Sequence, residues 1–215
     1  MNKSKDLFSV PSGGEADALC DGLLAALVDL AGISEEELGE VRGRLRSLEA
    51  EHRSLCVDAA SIQNLRYGCA VLAAYEVLRA RFTPEASVEL LQAAFVESGA
   101  SVREKTRAWL DQAPDPFREL VNISKQREAQ AFGASFTFER ERDDEQAYLL
   151  NVRRCFWHDF FAKVAAPELT RVLCEFDRNW FEAIDPERHR LRFERTTTLG
   201  YGGTHCPFHF TRTSR

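Results

Sequence analysis

No long apolar run, no long basic run and no closely spaced cysteine pair occurs in these 215 residues, and each absence removes a class of function. The most apolar early stretch, LLAALVDLAG, is broken by Asp29 and is too short to span a bilayer. The opening segment MNKSKDLFSVPSGG has only LFSV as an apolar element, less than a secretory signal needs. Residues 1–13 are therefore expected to form a flexible tail, and the protein to be cytoplasmic, with no membrane partner. Net charge is −6, from 28 Lys+Arg against 34 Asp+Glu, and no basic run provides a footprint for nucleic acid. The six cysteines include no CxxC pair, so they read as reduced thiols rather than as a disulfide framework or a zinc site. No metal and no cofactor is expected, and no internal repeat or low-complexity segment is visible. A homo-oligomer remains compatible with the sequence.

What is present is enough apolar residue, 44% against 29% charged, to build a core for one large domain or two small intimate ones. Residues 15–31 repeat Leu19, Leu23, Leu27 and Leu30 with helical period, and Gly32 can stop that helix. Ser34 and Glu37 have the spacing of a capping box for a second helix, with Leu38, Val41, Leu45 and Leu48 on one face. A third helix is predicted over 57–81, striped by Ile62, Leu65, Cys69, Leu72, Tyr75 and Leu78. Thr83-Pro84 opens the next, which carries Val88, Leu91 and Phe95. Two shorter helices follow near 101–111 and 115–131. After Gly133 the period changes to two. Strands are predicted at 134–140, 146–152, 190–198 and 205–211, with helices at 155–165 and 167–183 between the second and third and the turn GYGG before the fourth. The fold class is therefore α+β, a helical region over 14–132 followed by a small antiparallel sheet with two inserted helices over 133–215.

The chemistry gathers in Tyr148–Phe210, which holds Cys155, Cys174 and Cys206 and four of the five histidines. Cys155 and His158 are three apart, as are Cys174 and Asp177, and on a helix such spacing puts both members on one face. Each pair can thus present a thiol and a proton-transfer group to one place. Cys20, Cys56 and Cys69 have no polar companion and read as core. Strand parity places Arg195 with Leu191 and Phe193, and Cys206 with Phe208 and Phe210. An inward arginine needs a partner: Asp177, another carboxylate or a bound ligand.

The run Cys155…Pro167-Glu168-Leu169…Cys174-Glu175-Phe176-Asp177, then Phe193-Glu194-Arg195-Thr196-Thr197-Thr198-Leu199, then Gly202-Gly203-Thr204-His205-Cys206-Pro207-Phe208, resembles the L-2-amino-thiazoline-4-carboxylic acid hydrolase family. The likeness extends upstream through Asp115-Pro116-Phe117 and Gly133 to Phe138. It implies a hydrolase that opens a cyclic amidine-like ring to a carbamoyl-cysteine, with a carboxylate-bearing small molecule as substrate. The motif positions that carry over are Cys155, Cys174, Asp177, Arg195, Thr198 and Cys206. Pro207 departs from the family, which often has an acidic residue there, and this bears on substrate choice. Two mechanisms fit such a ring. A thiolate, best Cys155 because a helix start lowers a thiol's pKa, could attack the carbon between nitrogen and sulfur. Alternatively Asp177 could activate water, with the cysteines lining the site. Arg195 and Thr198 would bind substrate, Arg195 through its planar fork. A small-molecule binding or sensing module, or a relative working on another ring in a biosynthetic pathway, is the competing reading.

Overall fold

The computed structural model describes residues 13–213, and the expected tail, up to residue 12, lies outside the described residues. Six helices come first: α1 (Gly13–Ala31), α2 (Glu35–His52), α3 (Ala59–Leu78), α4 (Pro84–Ser98), α5 (Ala100–Leu110) and α6 (Pro116–Arg127). The capping signals act where expected. Ser34 accepts the Glu37 N–H while Glu37 accepts the Ser34 N–H, and Thr83 caps α4 with Pro84 at its first position. Replacing Ser34 by Ala removes one end of that box and should cost about 1 kcal/mol. Calorimetry should then find unfolding a few degrees lower, with the native helical circular dichroism intact.

α3 is the central helix. Gly68 through Ala74 are buried on every side, which is why its segment reads apolar rather than striped. α1, α2 and α4 surround it. The α1 stripe differs in one place: Leu30 is 47% exposed, and Cys20, Leu24 and Ala31 do the packing instead. Cys20 and Cys69 are core residues, whereas Cys56 sits in the loop before α3 and is half-buried.

The predicted helix over 115–131 ends early. After Arg127 the chain widens into a π-turn (Glu128–Phe132) and tightens into a 3-10 turn (Gly133–Ser135). The π-turn is anchored on both sides. Glu128 is buried, accepting from Tyr148 Oη and Arg140 Nη2, and Asn64 Nδ2 donates to the Ala131 carbonyl at 3.1 Å. The first strand consequently starts at Thr137 rather than 134.

The sheet is antiparallel, with order β1-β2-β4-β3: β1 (Thr137–Asp143), β2 (Ala147–Arg154), β3 (Leu191–Glu194) and β4 (Cys206–Arg212). Tyr148, Leu150, Leu191 and Phe210 point inward onto Leu110, Phe117, Leu120 and Val121. β3 is half its predicted length. Its last pair is Glu194 with His209, and the next positions of β4 include Pro207, which has no N–H to give a neighbour. Between β2 and β3 the chain makes more than the two helices expected: α7 (Phe156–Lys163), a 3-10 turn (Pro167–Leu169), α8 (Thr170–Phe176), α9 (Arg178–Phe181) and α10 (Pro186–His189). The single helix predicted over 167–183 is thus divided, and the division falls at Asp177. A continuous apolar core joins α1–α4 to Phe156, Phe160, Leu169, Val172 and Cys206, so the thiol-bearing elements rest directly on the helical layer.

Candidate active site

α8 presents Cys174 one turn before Asp177, which closes α8 and opens α9. Arg195 follows the end of β3, keeps the inward parity of Leu191 and Phe193, and reaches back across the sheet to this helix. Its Nη1 donates to Asp177 Oδ2 at 2.7 Å and its Nη2 to the Cys174 carbonyl at 3.0 Å. The guanidinium lies over the Phe181 ring at 5.2 Å and the Phe208 ring at 5.7 Å. Only 10% of the Arg195 side chain is exposed, so Asp177 is the counter-charge that its burial requires. Of the partners open to Arg195 from sequence, the carboxylate of Asp177 is the one it takes. As a fork for a substrate carboxylate it therefore has both terminal nitrogens already engaged.

The segment Thr198–Gly200 runs between two thiols. The Leu199 N–H donates to Cys206 Sγ at 3.2 Å, where Cys206 opens β4 opposite Val152. On the other side a Cβ at Gly200 would lie 3.1 Å from Cys174 Sγ and 3.2 Å from the Arg171 backbone nitrogen, so a larger residue would push the turn off the thiol. The predicted hairpin turn is in fact a 3-10 turn over Leu199–Tyr201 with left-handed Gly202 behind it. Thr198 is buried, and its hydroxyl pulls the Cys174 pKa down against the larger, opposite effect of burial. Pro207 pairs with Asn151 on the opposite face of the strand from Cys206, so the departure from the family pattern points away from the thiols.

Cys155 is the residue that precedes α7, and the N–H groups of Trp157 and His158 face its sulfur. Charge on Cys174 or Cys206 is felt at Cys155, and charge on Asp177 at both Cys174 and Cys206. Six of the seven expected residues, Cys155, Cys174, Asp177, Arg195, Thr198 and Cys206, thus share one place. His158 lies in the first turn of α7, where its backbone N–H faces the Cys155 sulfur and its buried Nδ1 meets no partner.

Burial governs the electrostatics. It pushes the Cys155 thiol far above its ordinary range, outweighing the helix N-terminus and the two N–H groups. Cys174 is raised by the same cause, and Cys206 to about 12. The expected low-pKa thiol at position 155 is therefore not what the fold makes. Asp177 is also raised by burial, against the opposing pull of Arg195, of the Trp180 N–H and of Arg127. A carboxylate raised in this way is a better base than an exposed one.

Two members of this arrangement were not anticipated. Trp180 Nε1 donates to Asp177 Oδ1 at 3.0 Å, fixing the carboxylate's orientation. The three-residue spacing that pairs Cys174 with Asp177 applies equally to Asp177 and Trp180, so that signal was available. Arg127, the last residue of α6, is a second cation acting on Asp177, and nothing in the sequence sets it apart from other surface arginines. Among the described residues no group of three or more His, Cys, Asp or Glu is arranged to hold a metal ion, and no helix is long and apolar enough to cross a membrane.

A family model described as L-2-amino-thiazoline-4-carboxylic acid hydrolase matches residues 63–210, more than half of the chain and all of this site. No curated protein and no solved structure matches the chain.

Proposed function

Because the chain belongs to the L-2-amino-thiazoline-4-carboxylic acid hydrolase family, we propose that it hydrolyses a 2-amino-thiazoline-4-carboxylate-type ring to a carbamoyl-cysteine, with Asp177 as the general base. The observation that carries this reading is the half-buried Asp177 carboxylate, oriented by Trp180 and charge-balanced by Arg195, beside three thiols that burial pushes above their ordinary range. Water gives one proton to Asp177 as its oxygen bonds to the carbon between nitrogen and sulfur, and Asp177 passes that proton to the ring nitrogen of the former C=N bond. When the ring C–N bond then breaks, the added hydroxyl forms the carbonyl as its proton goes to the departing nitrogen. The departing nitrogen leaves as an amine, and the exocyclic nitrogen stays as the carbamoyl amide. Thiols kept neutral by burial suit the wall of such a site: they pack against the ring sulfur without adding negative charge beside Asp177. A Cys155 thiolate route asks for the ionised form that burial disfavours.

The test is incubation with 2-amino-thiazoline-4-carboxylate and mass spectrometry. The expected product has gained one water and does not react with a thiol reagent, since ring C–N cleavage leaves sulfur bonded to carbon. A free thiol in the product would move the cleavage to the C–S bond. Bound but unaltered substrate would replace the enzyme by a binding module.

A further inference from the structure

We propose that the Leu199–Tyr201 turn is a gate over Cys174 and Cys206, latched shut by Tyr201. The proposed function says only what passes the gate; the gate itself rests on contacts. On its inner side the turn covers both thiols. The Leu199 N–H donates to Cys206 Sγ at 3.2 Å, and Gly200 packs so closely that a Cβ there would lie 3.1 Å from Cys174 Sγ. Thr198 is 4% exposed and Cys206 7%, so a five-membered ring does not reach them while the turn is down.

The turn is built to move as one piece. Its backbone bonds stay within it: the Tyr201 and Gly203 N–H groups donate to the Thr198 carbonyl at 3.0 and 2.9 Å, and the Gly202 N–H to that of Leu199 at 3.2 Å. Thr196 and Thr197 before this piece, and Thr204 and His205 after it, belong to neither β3 nor β4. A segment that keeps its own hydrogen bonds and joins the fold through unpaired flanks opens locally, without unfolding the rest. What holds it down lies on the outer side. Tyr201 is half exposed, yet its hydroxyl is engaged twice, donating to Glu175 Oε1 at 2.7 Å and accepting from Gln92 Nε2 at 3.1 Å. The Arg171 guanidinium stands 5.3 Å from the same ring, and its Nε donates to the Gly200 carbonyl at 3.2 Å. One residue of α4 and two of α8 thus pin the turn, through side chains for which water competes. Two cavities of about 400 and 500 Å³, both lined by Tyr201 and Gln92, leave the ring room to swing aside. Loops that admit a substrate and then close over it work in this way.

The experiment follows alkylation of the intact protein by N-ethylmaleimide, read cysteine by cysteine by peptide mass spectrometry, in the wild type, Tyr201→Phe and Gln92→Leu. Labelling of a covered thiol reports how often its cover is off. Tyr201→Phe keeps the ring beside Arg171 and removes both hydroxyl bonds, whereas Gln92→Leu removes one. Cys174 and Cys206 should label roughly 10-fold faster in Tyr201→Phe, the order set by losing two exposed hydrogen bonds, and by a smaller factor in Gln92→Leu. Cys69, fully buried in α3, reports global unfolding and should keep its wild-type rate. Unchanged rates at Cys174 and Cys206, or a rise that Cys69 shares, overturn the gate. Turnover of 2-amino-thiazoline-4-carboxylate is measured on the same samples. Faster labelling of the two thiols with no turnover in any sample, wild type included, sinks the hydrolytic reading and leaves the gate standing.

Discussion

Asp177→Asn should lower kcat by about 10²- to 10⁴-fold, the usual worth of a positioned general base, and should also lower stability, because it leaves the Arg195 guanidinium without the counter-charge its burial requires. The carboxylate's own ionisation sets the pH dependence. Burial raises the folded-state pKa of Asp177 above its unfolded value. A group shifted that way adds stability that is full below the unfolded pKa and lost as pH rises through the folded pKa. At neutral pH the cost of burying the ionised carboxylate therefore offsets part of what the Arg195 pair and the Trp180 bond contribute. Asparagine keeps the shape and can still accept from Trp180 Nε1, but it leaves Arg195 buried without a counter-charge. The same sign sets the pH profile. The wild type should lose activity as pH falls, with an acid limb above the ordinary aspartate range, and Asp177→Asn should lack the limb. Cys155→Ser, in contrast, should retain most of the turnover. Full activity in Asp177→Asn together with a dead Cys155→Ser would establish the thiolate route. Unchanged thermal stability in Asp177→Asn would mean that Arg195 does not depend on Asp177 for its counter-charge.

The residues of the site were legible in the sequence to a degree that their roles were not. Cys174 and Asp177 follow from helical spacing, Arg195 and Cys206 from strand parity, and these rules survive small errors in element ends. Arg195 keeps its inward direction although β3 stops before it. What spacing does not carry is the third dimension. Whether the inward Arg195 meets Asp177 or a ligand depends on where the end of β3 lies against the α8–α9 junction. Whether Cys155 feels a helix dipole or the loss of water depends on the depth of the α7 start in the core. In both cases a local inference met a larger long-range effect. The same holds for the fold. The α+β order, the capping box of α2 and the Thr83-Pro84 start of α4 are local and were found, whereas the early end of β3 and the π-turn after Arg127 depend on neighbours far along the chain. Alternation across Ala134, Phe136 and Phe138 suggested a strand where the chain still turns, because Asp58 and Asn64 of the α3 region hold it there.

That hold makes Gly133 the most sensitive single position outside the site. Its φ of 67° and ψ of −161° lie in a region that only glycine enters readily. A Cβ there would also come within 2.4 Å of Asp58 Oδ2 and 2.9 Å of Ala60 Cβ. Asp58 cannot simply yield, because one oxygen caps α3 through the Ser61 N–H at 2.7 Å and the other accepts the Ala134 N–H at 2.7 Å. Gly133→Ala thus adds backbone strain of about 1–3 kcal/mol to the loss of a helix cap, worth about 1 kcal/mol more. The sum predicts unfolding roughly 10 °C below the wild type. Gly202→Ala is the control. Its φ is 82° with ψ 10°, a left-handed conformation an alanine can adopt at about 1–2 kcal/mol, and nothing lies within 4 Å of its Cβ position. Its unfolding temperature should fall by about half as much. Equal losses in the two variants would mean that the Asp58 clasp contributes nothing and strain alone sets the cost. A clasp that does contribute should make Asp58→Ala and Gly133→Ala less than additive, since the first removes the carboxylate with which the second collides.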